Sequence, residues 1–157
     1  MKSVMKKIFG IEKAYAHCDV PCGIYDPHLA QVSAHTVVRM VQLMSGLEKQ
    51  DPDYDLKMGR YISVKEEHGE LLKHEVRIIW GDFLKPDHAA ANPELNDLVW
   101  NIMREGSAGR QTADMAKAQT LLESTLKFSE LFWKIKGVGT KRVDAPYPSG
   151  GQMVLPA

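Results

Sequence analysis

His17, Cys18 and Cys22 are the residues of this chain whose types and spacing best support chemistry. The only two cysteines stand four positions apart with a histidine directly before them, in the run Ala16-His17-Cys18-Asp19-Val20-Pro21-Cys22-Gly23-Ile24-Tyr25-Asp26-Pro27. Two thiolates at this spacing can converge on one ion, and Pro21 restricts how the backbone between them turns. The same pair can instead cycle between dithiol and disulfide, one thiolate attacking and the other resolving. CxxxC is not the CxxC of the usual redox motif, however. Two ordinary surface cysteines are the third reading. A structural staple is the weakest, because a 157-residue chain can bury a real core without one.

The metal reading sharpens if the chain starts at His17. The free α-amine of His17, its imidazole and the deprotonated backbone amide of Cys18 then lie beside the two sulfurs. Amine, amide and two thiolates form a compact N2S2 set, with the imidazole free to approach axially. A deprotonated amide in a five-membered chelate favours a square plane and so Ni(II) or Cu(II), whereas zinc asks for four tetrahedral side-chain ligands. Thiolate and anionic amide donors also lower the M(III)/M(II) potential, which makes nickel usable for one-electron chemistry.

That arrangement requires removal of residues 1–16, and Ala14-Tyr15-Ala16 has the small-x-small form that processing enzymes cut. As a secretory signal the segment is poor, since Lys6 and Lys7 interrupt its short apolar stretch. A non-secretory leader and an ordinary N-terminal arm are the other readings. Trimming at Ala16 removes four lysines and one glutamate from a chain with 20 basic and 20 acidic residues, and leaves it net acidic. Neither form carries the basic block that a nucleic-acid partner needs. No apolar run reaches the roughly 20 residues that span a bilayer.

The elements that must position this stretch are helical. Asp26-Pro27 predicts a helix start, a carboxylate cap followed by proline at the first turn. The segment from His28 to about Gln50 carries Leu29, Val32, Thr36, Val37, Met40, Val41, Met44 and Leu47 near helical spacing. A second helix is predicted over about Leu56 to Leu84, its face assembled from Ile62, Leu71, Leu72, Val76, Ile79 and Phe83. Its polar block Lys65-Glu66-Glu67-His68-Gly69-Glu70 must face solvent or something polar. Asn92-Pro93-Glu94 predicts a third start, for a short helix to about Arg104, with Gly106-Ser107-Ala108-Gly109 as a turn. The fourth helix is predicted over about Gln111 to Lys136. Four amphipathic segments with short linkers give an all-α, antiparallel four-helix bundle carrying an N-terminal metal-binding hook. The organisation expected is a removable leader at 1–16, hook and bundle at 17–136, and a non-periodic tail at 137–157 that packs on a neighbour or stays disordered.

Other residues carry less. Glu66, Glu67, His68, Glu70, His74 and Glu75 suggest a di-iron site only weakly, because the fourth helix has no matching Glu-x-x-His. His28, His35 and His88 are expected at the surface or an interface. Met40, Met44, Met103 and Met115 fit the core pattern, and Trp80, Trp100 and Trp133 fit helix contacts or an interface.

The run His17-Cys18-Asp19-Val20-Pro21-Cys22-Gly23-Ile24-Tyr25-Asp26-Pro27 resembles the nickel hook of nickel-containing superoxide dismutase. The resemblance continues through Lys65-Glu66, Glu70-Leu71, Lys73-His74, Trp80-Gly81-Asp82-Phe83, Lys85-Pro86, Pro93-Glu94-Leu95 and Phe132-Trp133, and so covers His17 to Lys136. It implies a four-helix-bundle subunit in a homohexamer, a proteolysed leader, and disproportionation of superoxide by Ni(II)/Ni(III) cycling with one ion per subunit. It also implies a processing protease and a nickel-delivery partner, and the expected location is cytoplasmic.

Carried over residue by residue, the resemblance makes His17 the amine and axial imidazole ligand, Cys18 the amide and thiolate, and Cys22 the second thiolate. Tyr25 is similar to the family tyrosine at the open face, Asp19 and Pro21 to hook-shaping residues, and Lys85 to a lysine near the approach. The chain departs from the pattern at Ser33 and His68, where some members have the glutamate and arginine around the axial imidazole. It departs again at Phe83, where some have a second tyrosine.

Overall fold

The computed structural model of the chain describes residues 23–157. Its helices are α1 (His28–Ser45), α2 (Tyr54–Ile78), the short α3 (Pro86–Ala91), α4 (Leu95–Gln111) and α5 (Met115–Ile135), followed by strands β1 (Thr140–Asp144) and β2 (Gln152–Pro156). The long helices α1, α2, α4 and α5 pack in a closed ring, each against the next and α5 back against α1. This is the four-helix bundle that the periodicity predicts. Its core is filled by Val37, Val41, Leu72, Val76, Ile102, Leu121, Phe128 and Phe132, and full burial of a side chain of this kind contributes about 2 kcal/mol.

Local chemistry explains where the helices start. Asp26 Oδ1 accepts the His28 amide at 2.7 Å, and Pro27 closes the first turn by accepting from Gln31 at 3.1 Å. Asp114 does the same for α5, its Oδ1 accepting from Ala116 and Lys117. The expected start at Gln111 was therefore too early, since Gln111 still belongs to α4. Asn92 does not cap α4. Its amide donates to the His88 carbonyl and its oxygen accepts from Lys134 Nζ, and α4 begins three residues later.

Residues 106–109 are not a turn. They lie inside α4, where their small side chains allow a close crossing with α2. A Cβ on Gly69 would meet Arg110 Cγ at 2.5 Å, and one on Gly106 would meet Lys73 Cγ at 2.9 Å. The polar block of α2 faces this crossing. Lys65 is almost fully buried and its ammonium donates to the carbonyls of Gly109 and Arg110 at the end of α4, where a helix leaves its last carbonyls unpaired. Arg110 in turn bonds Glu66 at 2.8 Å and Glu70 at 2.6 Å. Burial lowers the Lys65 pKa, opposed by Glu66 and reinforced by Arg110. Ile62, expected in the core, is 43% exposed, although it stands at helical spacing from the buried Lys65, Gly69, Leu72 and Val76.

The segment after Gly137 is neither disordered nor free of strand. β1 and β2 form an antiparallel hairpin in which Arg142 pairs with Val154. The hairpin docks along α1 and α5. Val154 is buried, and its amide and carbonyl are both taken by the Gln31 side chain, at 2.8 and 3.0 Å. Arg142 bridges Glu123 and Glu130 on α5 with four hydrogen bonds of 2.7 to 3.0 Å. These bonds draw the Glu123 carboxyl below its ordinary pKa and push the guanidinium higher still.

His35 sits beneath this hairpin and is buried within the subunit, where a position at the surface or an interface was expected. In the neutral ring Nε2 donates to the Gln152 carbonyl at 3.0 Å, which leaves Nδ1 to accept the Ser149 hydroxyl at 2.9 Å. Burial lowers its pKa, and the bond to Gln152 opposes that shift.

Candidate metal centre and its aromatic rim

The donors His17, Cys18 and Cys22, with Asp19, Pro21 and the 1–16 boundary, lie outside the described residues. The joint between hook and bundle is described. Gly23, directly after Cys22, has φ +73°, a left-handed conformation that side chains resist, so the chain turns there before Tyr25 enters the bundle. Tyr25 lies three positions after Cys22, and an extended chain spans at most about 10 Å over that distance. An ion held by Cys22 is therefore tethered close to whatever surrounds Tyr25.

A row of aromatic rings surrounds it. The Tyr25 ring lies 5.4 Å from Phe83, Phe83 lies 5.2 Å from Phe132, and Phe132 lies 5.0 Å from Trp133, all as centroid separations in tilted or edge geometry. His88 stacks on Phe83 with its centroid 6.0 Å away.

Backbone irregularity puts Phe83 in that row. After Ile78 the helix widens into one π-turn, Ile79–Phe83, closed by Leu84 N–H donating to the Ile79 carbonyl at 3.1 Å. Such a turn adds a residue to the helical repeat and re-aims the side chains after it. Phe83 reaches Tyr25 and Phe132, while Trp80 is left half-exposed with its Nε1 on Asn96. Nothing in the spacing of Trp80-Gly81-Asp82-Phe83 signalled the π-turn.

The rim also carries a cation that sequence reading missed. Lys136, the residue that ends α5, holds its ammonium 5.3 Å from the centroid of Phe132, 5.5 Å from Trp133 and 5.6 Å from Phe83. The signal was present, because Phe132, Trp133 and Lys136 recur at i, i+1 and i+4 on one helical turn. Lys85, the expected approach lysine, is exposed, and its Nζ donates to the Asp82 carbonyl at 3.0 Å. The other side chains singled out earlier do not converge. Ser33 Oγ and His68 Nδ1 are buried with no hydrogen-bond partner among the described residues. Glu66 and Glu70 are held by Arg110.

Among the described residues no three His, Cys, Asp or Glu side chains gather as an ion would require, so a di-iron centre on α2 has no geometry to support it. No described helix is long and apolar enough to cross a membrane. The side chains at 17–22 include an imidazole and two thiols, which suit a transition-metal ion such as nickel.

Comparison with known proteins agrees. Residues 12–136 match the family model of nickel-containing superoxide dismutase. The chain is 36% identical over 121 residues to the superoxide dismutase [Ni] of Streptomyces coelicolor, covering 77% of this chain and 88% of that protein. It is 34% identical over 124 residues to the same enzyme of Streptomyces seoulensis, at 79% and 91% coverage.

Among solved structures it resembles a native nickel superoxide dismutase, with a TM-score of 0.69 at 36% identity over 76% of this chain and 99% of that one. A crystal structure of the nickel-containing enzyme with ligation corresponding to the oxidised state gives a TM-score of 0.71 at 33% identity, over 77% and 99%. The family match, the identity to both enzymes and the shared helical fold lead to one conclusion: the chain belongs to the nickel-containing superoxide dismutase family.

Proposed function

We propose that this chain converts superoxide to oxygen and hydrogen peroxide, with nickel held by the His17 amine and imidazole, the Cys18 amide and thiolate, and the Cys22 thiolate. The observation that carries this reading is the unbroken run from His17 to Pro27 within the matched family region. Nickel, when bound, supplies one-electron cycling between its divalent and trivalent states, one ion per subunit. One superoxide gives up an electron and leaves as oxygen. A second accepts an electron and two protons and leaves as hydrogen peroxide.

The chain's own residues have narrower tasks. Tyr25, tethered next to Cys22 and backed by Phe83, presents a phenol at the open face, where it binds the small anion or the water that relays protons. The apolar wall of Phe83, Phe132 and Trp133 limits access of bulk water and larger oxidants to the thiolates. Asp19 and Pro21 shape the hook.

The same proposal includes cleavage after Ala16 by a processing protease, a nickel-delivery partner, a homohexamer and a cytoplasmic location. In support of assembly, the apolar side chains of Ile24 and Leu29 beside the hook, and of Leu56 and Ile62 on α2, are exposed on the isolated subunit. Light scattering of the trimmed protein tests it, and a monodisperse monomer refutes it.

The test of function is direct. Chain trimmed to His17 and loaded with nickel should accelerate superoxide decay and show a rhombic Ni(III) paramagnetic resonance signal. Full activity from protein that mass spectrometry finds to begin at Met1 would rule out the amine ligand. Loss of activity on nickel removal with an unchanged far-ultraviolet spectrum separates an enzyme from a purely structural helical protein.

A further inference from the structure

Lys136 differs from the other lysines around the rim. Lys85 Nζ donates to a backbone carbonyl and Lys134 Nζ to the Asn92 side chain. No carboxylate forms an ion pair with Lys136 in the described structure. Its ammonium is held by the faces of three rings instead, an attraction that fixes the position of a charge without neutralising it. Asp26, the acidic residue next to Tyr25, is turned back to the His28 amide.

Centroid steps of 5.4 Å from Tyr25 to Phe83 and 5.6 Å from Phe83 to Nζ keep the ammonium within about 11 Å of the Tyr25 ring. That is close to one Debye length at 0.1 M salt, about 10 Å. The field of a single fixed cation therefore reaches the Tyr25 face at physiological salt and is lost at high salt.

We propose that Lys136, anchored over Phe83, Phe132 and Trp133, is the group that draws the anionic substrate to the Tyr25 face of the site. The proposal rests on the superoxide dismutase reading for the identity of the anion, and on ring geometry for the location of the charge. Because the mature chain is net acidic, a superoxide ion meets an unfavourable average field, and a local cation has the larger effect on its arrival. Coulomb's law in a water-like medium at about 11 Å makes neutralisation worth about a twofold change in local anion concentration at low salt, and charge reversal about fourfold.

Two measurements test this. The first needs no metal. In the chain trimmed to His17 and carrying Trp80→Phe and Trp100→Phe, Trp133 is the remaining indole, and its quenching by iodide reports the local potential. Because Nζ is 5.5 Å from the Trp133 ring, about half the distance to Tyr25, Lys136→Met should lower the iodide quenching constant about three- to fourfold while leaving quenching by neutral acrylamide unchanged, and Lys136→Arg should preserve both. The second uses nickel-loaded protein and follows kcat/KM for superoxide against ionic strength. Lys136→Met should lose about twofold and Lys136→Glu about fourfold at low salt, each converging on the parent above about 0.5 M.

An unchanged iodide constant, or an equal fall in acrylamide quenching, overturns the proposal whether or not the enzyme is active. So does a rate loss in Lys136→Glu that is the same at every salt concentration. If the iodide effect appears but trimmed, loaded parent protein dismutes no superoxide, the functional reading fails and the substrate role of Lys136 falls with it.

Discussion

Replacing Gln31 with methionine removes both of its contacts with the hairpin at nearly constant volume. Gln31 and Val154 are each only 1% exposed, so Gln31→Met strands one amide and one carbonyl of Val154 away from water. An unsatisfied buried polar group costs about 1–3 kcal/mol. Two of them, partly offset by the greater apolarity of methionine, should cost about 3 kcal/mol. For a chain of this length that lowers the melting temperature by about 9 °C.

Urea unfolding of the metal-free chain measures the loss, and amide exchange at Val154 locates it. The decisive comparison is the same substitution in a chain ending at residue 136, where no hairpin exists. Truncation there is reasonable, because solved relatives are matched over 99% of their length by 77% of this chain. In the short chain Gln31→Met should change stability by less than about 0.5 kcal/mol, since Gln31 would bond water. An equal loss in both backgrounds would refute the argument and make Gln31 an ordinary helix residue.

Other perturbations test other parts of the fold. The lowered pKa of His35 means that the folded chain disfavours its charged form, so the associated stability is complete above the ordinary value of 6.5 and is lost as pH falls through the folded value; urea titrations should show this acid-side loss in the parent and not in His35→Gln. Lys65→Met leaves the Gly109 and Arg110 carbonyls without their donor and should cost about 1–2 kcal/mol in urea unfolding, while a more stable variant would show that the buried charge outweighs its bonds. Gly69→Ala must displace the Arg110 stem and disturb its pairs with Glu66 and Glu70, whereas Gly106→Ala need only move the flexible stem of Lys73. Thermal melts should therefore rank Gly69→Ala below Gly106→Ala by about 1–2 kcal/mol. Tyr25→Phe should change saturation by superoxide and inhibition by peroxide in steady-state assays, and unchanged behaviour would remove Tyr25 from the anion site.

The parts of this molecule that were legible in its sequence share one property: their physics is local. Asp26-Pro27 marks a helix start because a carboxylate and a fixed φ act within one turn, and the run around His17, Cys18 and Cys22 points to the nickel family by residue types and spacing alone. Most of the misreadings needed a partner distant in the chain; the early start placed at Gln111 did not, since the Asp114 cap acts within three residues. Gly106 to Gly109 look like a turn until α2 approaches across Gly69. Residues 140–156 look shapeless because each strand is short, and the hairpin is held by Gln31, Glu123 and Glu130 from other elements. His35 reads as a surface or interface residue for the same reason. The π-turn at Ile79–Phe83 accompanies contacts of Phe83 with Tyr25 and Phe132, which lie far from it in the chain.

The docking of β2 also bears on how such an appendage can be transplanted. Its outer edge is closed by one amide side chain of the host, and its turn is received by an imidazole and by the Gln42 side chain, which donates to the Ser149 carbonyl at 2.9 Å. Plug and socket are thus encoded more than a hundred positions apart. Grafting residues 137–157 onto a hairpin-less relative should succeed only when the equivalents of Gln31, His35 and Gln42 travel with it.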